Sequence, residues 1–161
     1  MKIKTIAING VFAALYIAVT FFVQPFGFTN IQFRLSEIFN HLIVFNKNYF
    51  FGIVLGVILA NFFFSPLVAY DLIFGVGQTI ISLFITIISS KLIKGIIPRM
   101  VLNTIVFTVF MFLIAIELKL AYGLPFPITY LTTAIGEFIV MVVGIPIMYY
   151  LNKRVNFEKL I

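Results

Sequence analysis

Glu37, Asp71 and Glu137 are carboxylates set within or at the edge of long apolar runs, and Arg34, Asn61 and Gln78 stand in the same runs. Carboxylates do two kinds of work: they exchange protons during catalysis, or they accept hydrogen bonds from a bound ligand. Placing an ionisable group mid-membrane costs at least ~2.5 kcal/mol, so each such group is a functional suspect. On an α-helix Arg34, Glu37 and His41 fall at i, i+3 and i+7, along one face. Asp71, Phe74, Gly75 and Gln78 form a second stripe, and Tyr130, Thr133 and Glu137 a third. Glu137 lies about nine residues into its segment, roughly 13 Å deep at 1.5 Å per residue.

Each group also has a plainer reading. Arg34 and Glu37 fit an i,i+3 ion pair closing the start of a helix, and Asp71 fits a helix cap at the water interface. His41, a lone histidine, fits a hydrogen-bonded packing residue. Glu117 beside Lys119 fits a solvated helix end, and Asn103 and Thr104 fit interhelical hydrogen bonding. Glu137 is too deep for a cap and has no basic residue within its own turn. The argument for a site is that polar groups from separate segments reach comparable depth.

Catalysis finds no support. No nucleophile pairs with the carboxylates, no P-loop is present, and no zinc-ligand spacing occurs. With one His and no Cys, a metal centre is not expected, and neither is a cofactor. The net charge of +6 resides in scattered residues flanking apolar runs; such residues anchor to anionic lipid, and no basic run is long enough for nucleic acid.

The elements that must position these groups are membrane segments. The chain of 161 residues is 63% hydrophobic and 10% charged, with a mean hydropathy of +1.20, far from the roughly one-quarter charged fraction of a soluble domain. Six segments are expected: Thr5–Val23, Leu35–Phe45, Tyr49–Phe64, Leu67–Ser90, one from Pro98 to Glu117, and Ile128–Leu151. A loop with Pro25 and Gly27 follows the first. The second is too short to cross alone, since a ~30 Å core needs ~20 helical residues. Ser65-Pro66 stops the third.

Without period-two polarity, a membrane barrel is not expected. The first segment exceeds a usual signal-peptide core and reads as a retained helix. Tyrosines 49, 70, 122, 130, 149 and 150 fall near segment ends, as an interfacial aromatic belt does.

This threading puts nine of eleven basic residues on one side: Lys2, Lys4, Lys47, Lys91, Lys94, Arg99, Lys153, Arg154 and Lys159. Glu37, Asp71, Glu117 and Glu137 fall on the other side or in the half-membrane beneath it. The positive-inside rule then places both termini in the cytoplasm. The expected fold is an all-α membrane protein, a compact bundle of six transmembrane helices forming one domain over residues 1–161.

Small residues recur at four-residue spacing: Gly10, Ala14 and Ala18 in the first segment, and Gly52, Gly56 and Ala60 in the third. Such ridges let helix backbones approach closely. From the residues alone, both read as packing within the bundle.

The run Ile31-Gln32-Phe33-Arg34-Leu35-Ser36-Glu37 resembles the queuosine-precursor transporter (QueT) family. The likeness continues through Gly52, Gly56, Ala60-Asn61, Ser65-Pro66, Asp71, Phe74-Gly75, Gly136-Glu137, Gly144 and Pro146, nearly the whole chain. It implies a substrate-binding (S) component of an energy-coupling factor (ECF) transporter in a bacterial plasma membrane. Such a component works with a transmembrane coupling protein and two ATPase subunits, which supply the energy. The family's ridge on helix one faces the coupling protein, and Gly10, Ala14 and Ala18 match it.

The implied substrate is a 7-deazaguanine base bearing an aminomethyl or cyano group. Glu137 would accept its N–H edge, and Arg34, Asn61 or Gln78 would donate to its oxo group. Asp71 or Glu37 would meet an ammonium, and Tyr130 or Phe74 would stack on the ring. The alternatives are an S component for another small heteroaromatic vitamin and a membrane assembly subunit without ligand.

Overall fold

The computed structural model describes residues 2–28 and 32–161; Ile31, first in the run that carries the family resemblance, lies outside them. In chain order the elements are α1 (Ile3–Gly27), a 3₁₀ helix (Leu35–His41) continuing as α2 (Leu42–Phe45), a 3₁₀ turn (Lys47–Tyr49), α3 (Phe50–Phe64), α4 (Val68–Ser89), α5 (Ile96–Phe110), α6 (Phe112–Tyr122), α7 (Phe126–Val155) and α8 (Phe157–Leu160). No strand occurs among the described residues. Five stretches among them are long and apolar enough to cross a membrane, α5 and α6 together making one, with Leu35–Phe45 as a shorter apolar helix.

Burial runs opposite to that of a water-soluble protein. Phe22, Phe63, Ile73 and Leu131 are among many large apolar side chains left exposed, while the interior holds nearly as many polar residues as apolar ones. Lipid solvates the apolar exterior, and the bundle interior is where polar groups find partners. This is a multi-pass membrane protein.

The two faces of α1 show the division. Thr5, Asn9, Ala13, Tyr16 and Thr20 are buried, whereas Gly10, Ala14 and Ala18 are exposed. The buried face packs on α3, the most extensive helix contact among the described residues. Asn9 Oδ1 accepts from the Gly52 N–H at 2.7 Å, and Asn9 Nδ2 donates to the Asn48 carbonyl at 3.0 Å. A Cβ at Gly52 would sit 2.6 Å from Asn9 Oδ1, and one at Gly56 2.8 Å from Tyr16 Cβ. The α3 ridge is therefore an internal helix contact.

Three features differ from expectation. First, α1 runs through Pro25 to Gly27, where a loop was expected. Second, the fifth segment continues past Glu117 to Tyr122, with a turn at Met111 dividing α5 from α6. It ends where Gly123, at φ +70°, donates its N–H to the Lys119 carbonyl, a left-handed cap that glycine adopts without strain. Glu117 is consequently buried within the bundle, not a solvated end. Third, Tyr49 is fully buried and donates to the Phe157 carbonyl at 3.0 Å, so it tethers α8 and leaves the aromatic belt to tyrosines such as 70, 122 and 150.

The second segment departs most. Its 3₁₀ turns rise ~2.0 Å per residue and α2 only ~1.5 Å, so its helical part stays short of the ~30 Å core. It is sheltered by neighbours: the 3₁₀ helix packs chiefly on α7 and α1. Ser36, Asn40, His41 and Leu42 are fully buried. Seven residues is long for a 3₁₀ helix, and such stretches mark strain or function.

Candidate functional site

The 3₁₀ winding changes which residues share a face. At three residues per turn, positions i and i+3 eclipse, so Asn40, not His41, lines up with Glu37, while Arg34 stands before the helix in extended backbone. Asn40 Nδ2 donates to Glu37 Oε2, and Tyr16 Oη donates to Glu37 Oε1 at 2.6 Å. Thr20 Oγ1 and Ser36 Oγ meet at 2.8 Å beside them. Glu37 is thereby tied to α1 and to its own helix. The expected Arg34–Glu37 ion pair does not form.

Arg34 turns to α3 and α4. Its Nη2 lies 2.7 Å from Asp71 Oδ1, the only ion pair among the described residues. Its Nη1 donates to Asn61 Oδ1 at 3.2 Å and its Nε to the Gly27 carbonyl at 3.1 Å. The guanidinium also lies 4.6 Å from the Phe28 ring centroid, within cation–π range. Asp71 accepts a further bond from Ser65 Oγ at 2.5 Å, and Ser65 Oγ in turn accepts from the Leu67 N–H. The Ser-Pro turn that ends α3 therefore also holds the carboxylate that starts α4. Asp71 is an ion-pair partner here and makes no side-chain cap. Gly75 leaves room for this cluster: a Cβ there would lie 3.1 Å from Asn61 Nδ2.

A small cavity lies between the groups, lined by Gln32, Arg34, Glu37, Gly75, Gln78, Met111, Ile114 and Glu137. At about 10 Å³ it has room for at most one water. Glu137 is 2% exposed, and its Oε1 has no hydrogen-bond partner. Gln78 Nε2 donates weakly, at 3.3 Å to the Phe107 carbonyl and 3.8 Å to Met111 Sδ. Buried polar atoms are nearly always paired, so a buried acid oxygen without a donor marks a place where a donor fits.

Five of the expected contact residues, Arg34, Glu37, Asn61, Asp71 and Gln78, come together with Glu137 around this cavity and the ion pair beside it. Two do not. Tyr130 donates from Oη to the Val109 carbonyl at 3.2 Å, and its ring stacks on Phe126; it packs against Met111, Ile114 and Leu118 from outside the cavity. Phe74 is half-buried and lines no part of the cavity.

His41 Nε2 pairs with the Met141 carbonyl at 2.9 Å and its Nδ1 with Asn103 at 3.3 Å, the packing role expected of it. Asn103 bonds across helices to the Asn40 carbonyl and Thr86, whereas Thr104 bonds only within its own helix, to Met100. The residues not foreseen are Tyr16, Gln32, Asn40 and Glu117. Tyr16 was legible in one respect: it belongs to the polar stripe Thr5, Asn9, Tyr16, Thr20 opposite the small-residue ridge.

The family model for the QueT transporter matches residues 6–153, a span that includes every residue of this site. The chain is also 33% identical, over 98% of its length and 95% of the relative's, to a protein of Lactococcus lactis subsp. cremoris named queuosine precursor transporter QueT. The chain belongs to the QueT transporter family. No solved structure matches this QueT-family chain.

Proposed function

We propose that this protein is the substrate-binding (S) component of an ECF-type importer, and that it takes a 7-deazaguanine queuosine precursor from the outer side of a bacterial plasma membrane. The observation that carries the reading is Glu137, a buried acid with a free oxygen on a cavity shared with Arg34, Glu37 and Gln78, in a QueT-family chain. A guanine-like edge offers the N–H donors Glu137 lacks, and its oxo group accepts from Gln78 or Arg34.

The cavity is smaller than the ring, so binding requires the outer ends of the helices to part. The positive-inside charge distribution supports cytoplasmic termini and an outward-facing site. Without a P-loop the chain is not itself the ATPase. Energy comes from two ATPase subunits through a transmembrane coupling protein, and the exposed ridge Gly10, Ala14, Ala18, with open space beside Gly10, suits that partner. Small residues permit close helix approach in lipid.

Isothermal titration of the purified chain with guanine and the 7-cyano and 7-aminomethyl deazaguanines tests this reading. Saturable binding of a deazaguanine is expected. A protein that binds none of them, and carries no small molecule when purified, would be an assembly subunit instead.

A further inference from the structure

A second cavity of about 20 Å³ lies against the first and is lined by Phe28, Gln32, Asp71, Glu117 and Tyr122 among others. Gln32 borders both cavities, and the Arg34–Asp71 ion pair stands between them, Arg34 facing the first and Asp71 the second. Glu117 is 1% exposed, yet its Oε2 has no partner, and the buried Gln32 Oε1 has none either. Two buried acceptors without donors and a carboxylate with one cation to share thus meet at one small space.

The charge balance of the cluster points the same way. Glu37, Asp71, Glu117 and Glu137 are all buried, and Arg34 is the only buried cation among the described residues. Arg34 pairs with Asp71, which leaves the other acids without a counter-charge. A ligand reaching both cavities must also open that pair. A neutral ligand would then strand Asp71 as an uncompensated buried charge, whereas a cationic one replaces the guanidinium it displaces.

We propose that Glu117, with Asp71 and Gln32, forms a cation subsite that receives the ammonium group of the substrate, while the heterocycle occupies the cavity of Glu137, Glu37 and Gln78. This rests on the deazaguanine reading of the main cavity. An alkylammonium carries three N–H donors, enough for Glu117 Oε2, an Asp71 oxygen and Gln32 Oε1.

The test is isothermal titration of the purified full-length protein in detergent with 7-aminomethyl-7-deazaguanine, 7-cyano-7-deazaguanine and unsubstituted 7-deazaguanine, for wild type, Glu117→Gln and Glu117→Asp. The expected wild-type result is binding of the aminomethyl base at least about tenfold tighter than either neutral base, a difference set by the added charge contacts. Glu117→Gln should remove most of that preference and leave the neutral bases within about twofold of wild type. Glu117→Asp should retain part of it.

Equal affinity for charged and neutral bases in wild type overturns the subsite, and so does a Glu117→Gln variant that weakens all bases alike or none. Those outcomes leave the deazaguanine reading standing. Failure of wild type to bind any of the three overturns both. Should neither Glu117 variant fold, Gln32→Leu is titrated in their place: a narrowed preference for the aminomethyl base supports the subsite, and an unaltered one overturns it.

Discussion

Around His41 and Asn103, in the half of the bundle nearer both termini, most polar groups satisfy one another, Asn40 Oδ1 being an exception. Asn103 receives the Thr86 hydroxyl and donates to the Asn40 carbonyl and to His41, whose other ring nitrogen meets Met141. Around Glu137 and Glu117, toward the opposite end, buried oxygens have no donor. Asn40 belongs to both regions, since its backbone serves Asn103 and its side chain serves Glu37. Residue type does not separate the regions, because both hold amides and ionisable groups in a membrane interior. The unpaired acid oxygens do: the network around Asn103 joins four elements, whereas only around Glu137 and Glu117 do buried carboxylates keep an oxygen without a donor among the described residues.

Substitutions can break this contrast. The largest effect is expected at Arg34, the one place where the open region is closed by charge. Arg34→Leu leaves Asp71 buried without its cation and should cost about 3–5 kcal/mol of stability, read as a lowered unfolding midpoint in detergent. Retained stability would mean that the ion pair does not organise the cluster around Asp71 and Asn61.

Asn103→Leu should cost about 1–3 kcal/mol by stranding Thr86, His41 and the Asn40 carbonyl. Substrate affinity, measured by titration, should stay unchanged; a large loss of affinity would erase the distinction between the two regions. Gly56→Ala forces a Cβ against Tyr16 across the α1–α3 contact and should cost about 1–3 kcal/mol by overpacking.

The smallest change in stability is expected on the opposite face of α1. Ala14→Leu adds bulk where the helix is exposed and should shift stability by no more than about 0.5 kcal/mol. Its effect should appear in co-purification with the proposed coupling protein, which the bulkier side chain should weaken. Unaltered capture would remove the ridge from that interface.

The helical membrane architecture was legible because runs of twenty apolar residues leave few other solutions. Convergence was legible in part: counting residues from segment ends set Asn61 and Asp71 at similar positions on their helices, and the two share the Arg34 guanidinium. The second segment was misread in detail because a period of 3.0 and one of 3.6 diverge little over seven residues. The difference nonetheless put Asn40 beside Glu37 and turned His41 toward α7. Glu117 was misread through its neighbour Lys119, although residues two apart on a helix do not face each other. Tyr130 shared a stripe with Glu137, but its ring lies outside the cavity. Partners across helices, such as Tyr16 for Glu37, follow from packing that no single segment encodes.

The central claim is that the unpaired acid on α7 awaits a ligand's donors. Titration of Glu137→Gln with 7-aminomethyl-7-deazaguanine, beside its unfolding midpoint, tests this most directly. The account predicts affinity at least about tenfold weaker with the midpoint unchanged, since the lost oxygen had no partner within the fold. Affinity within twofold of wild type would contradict it.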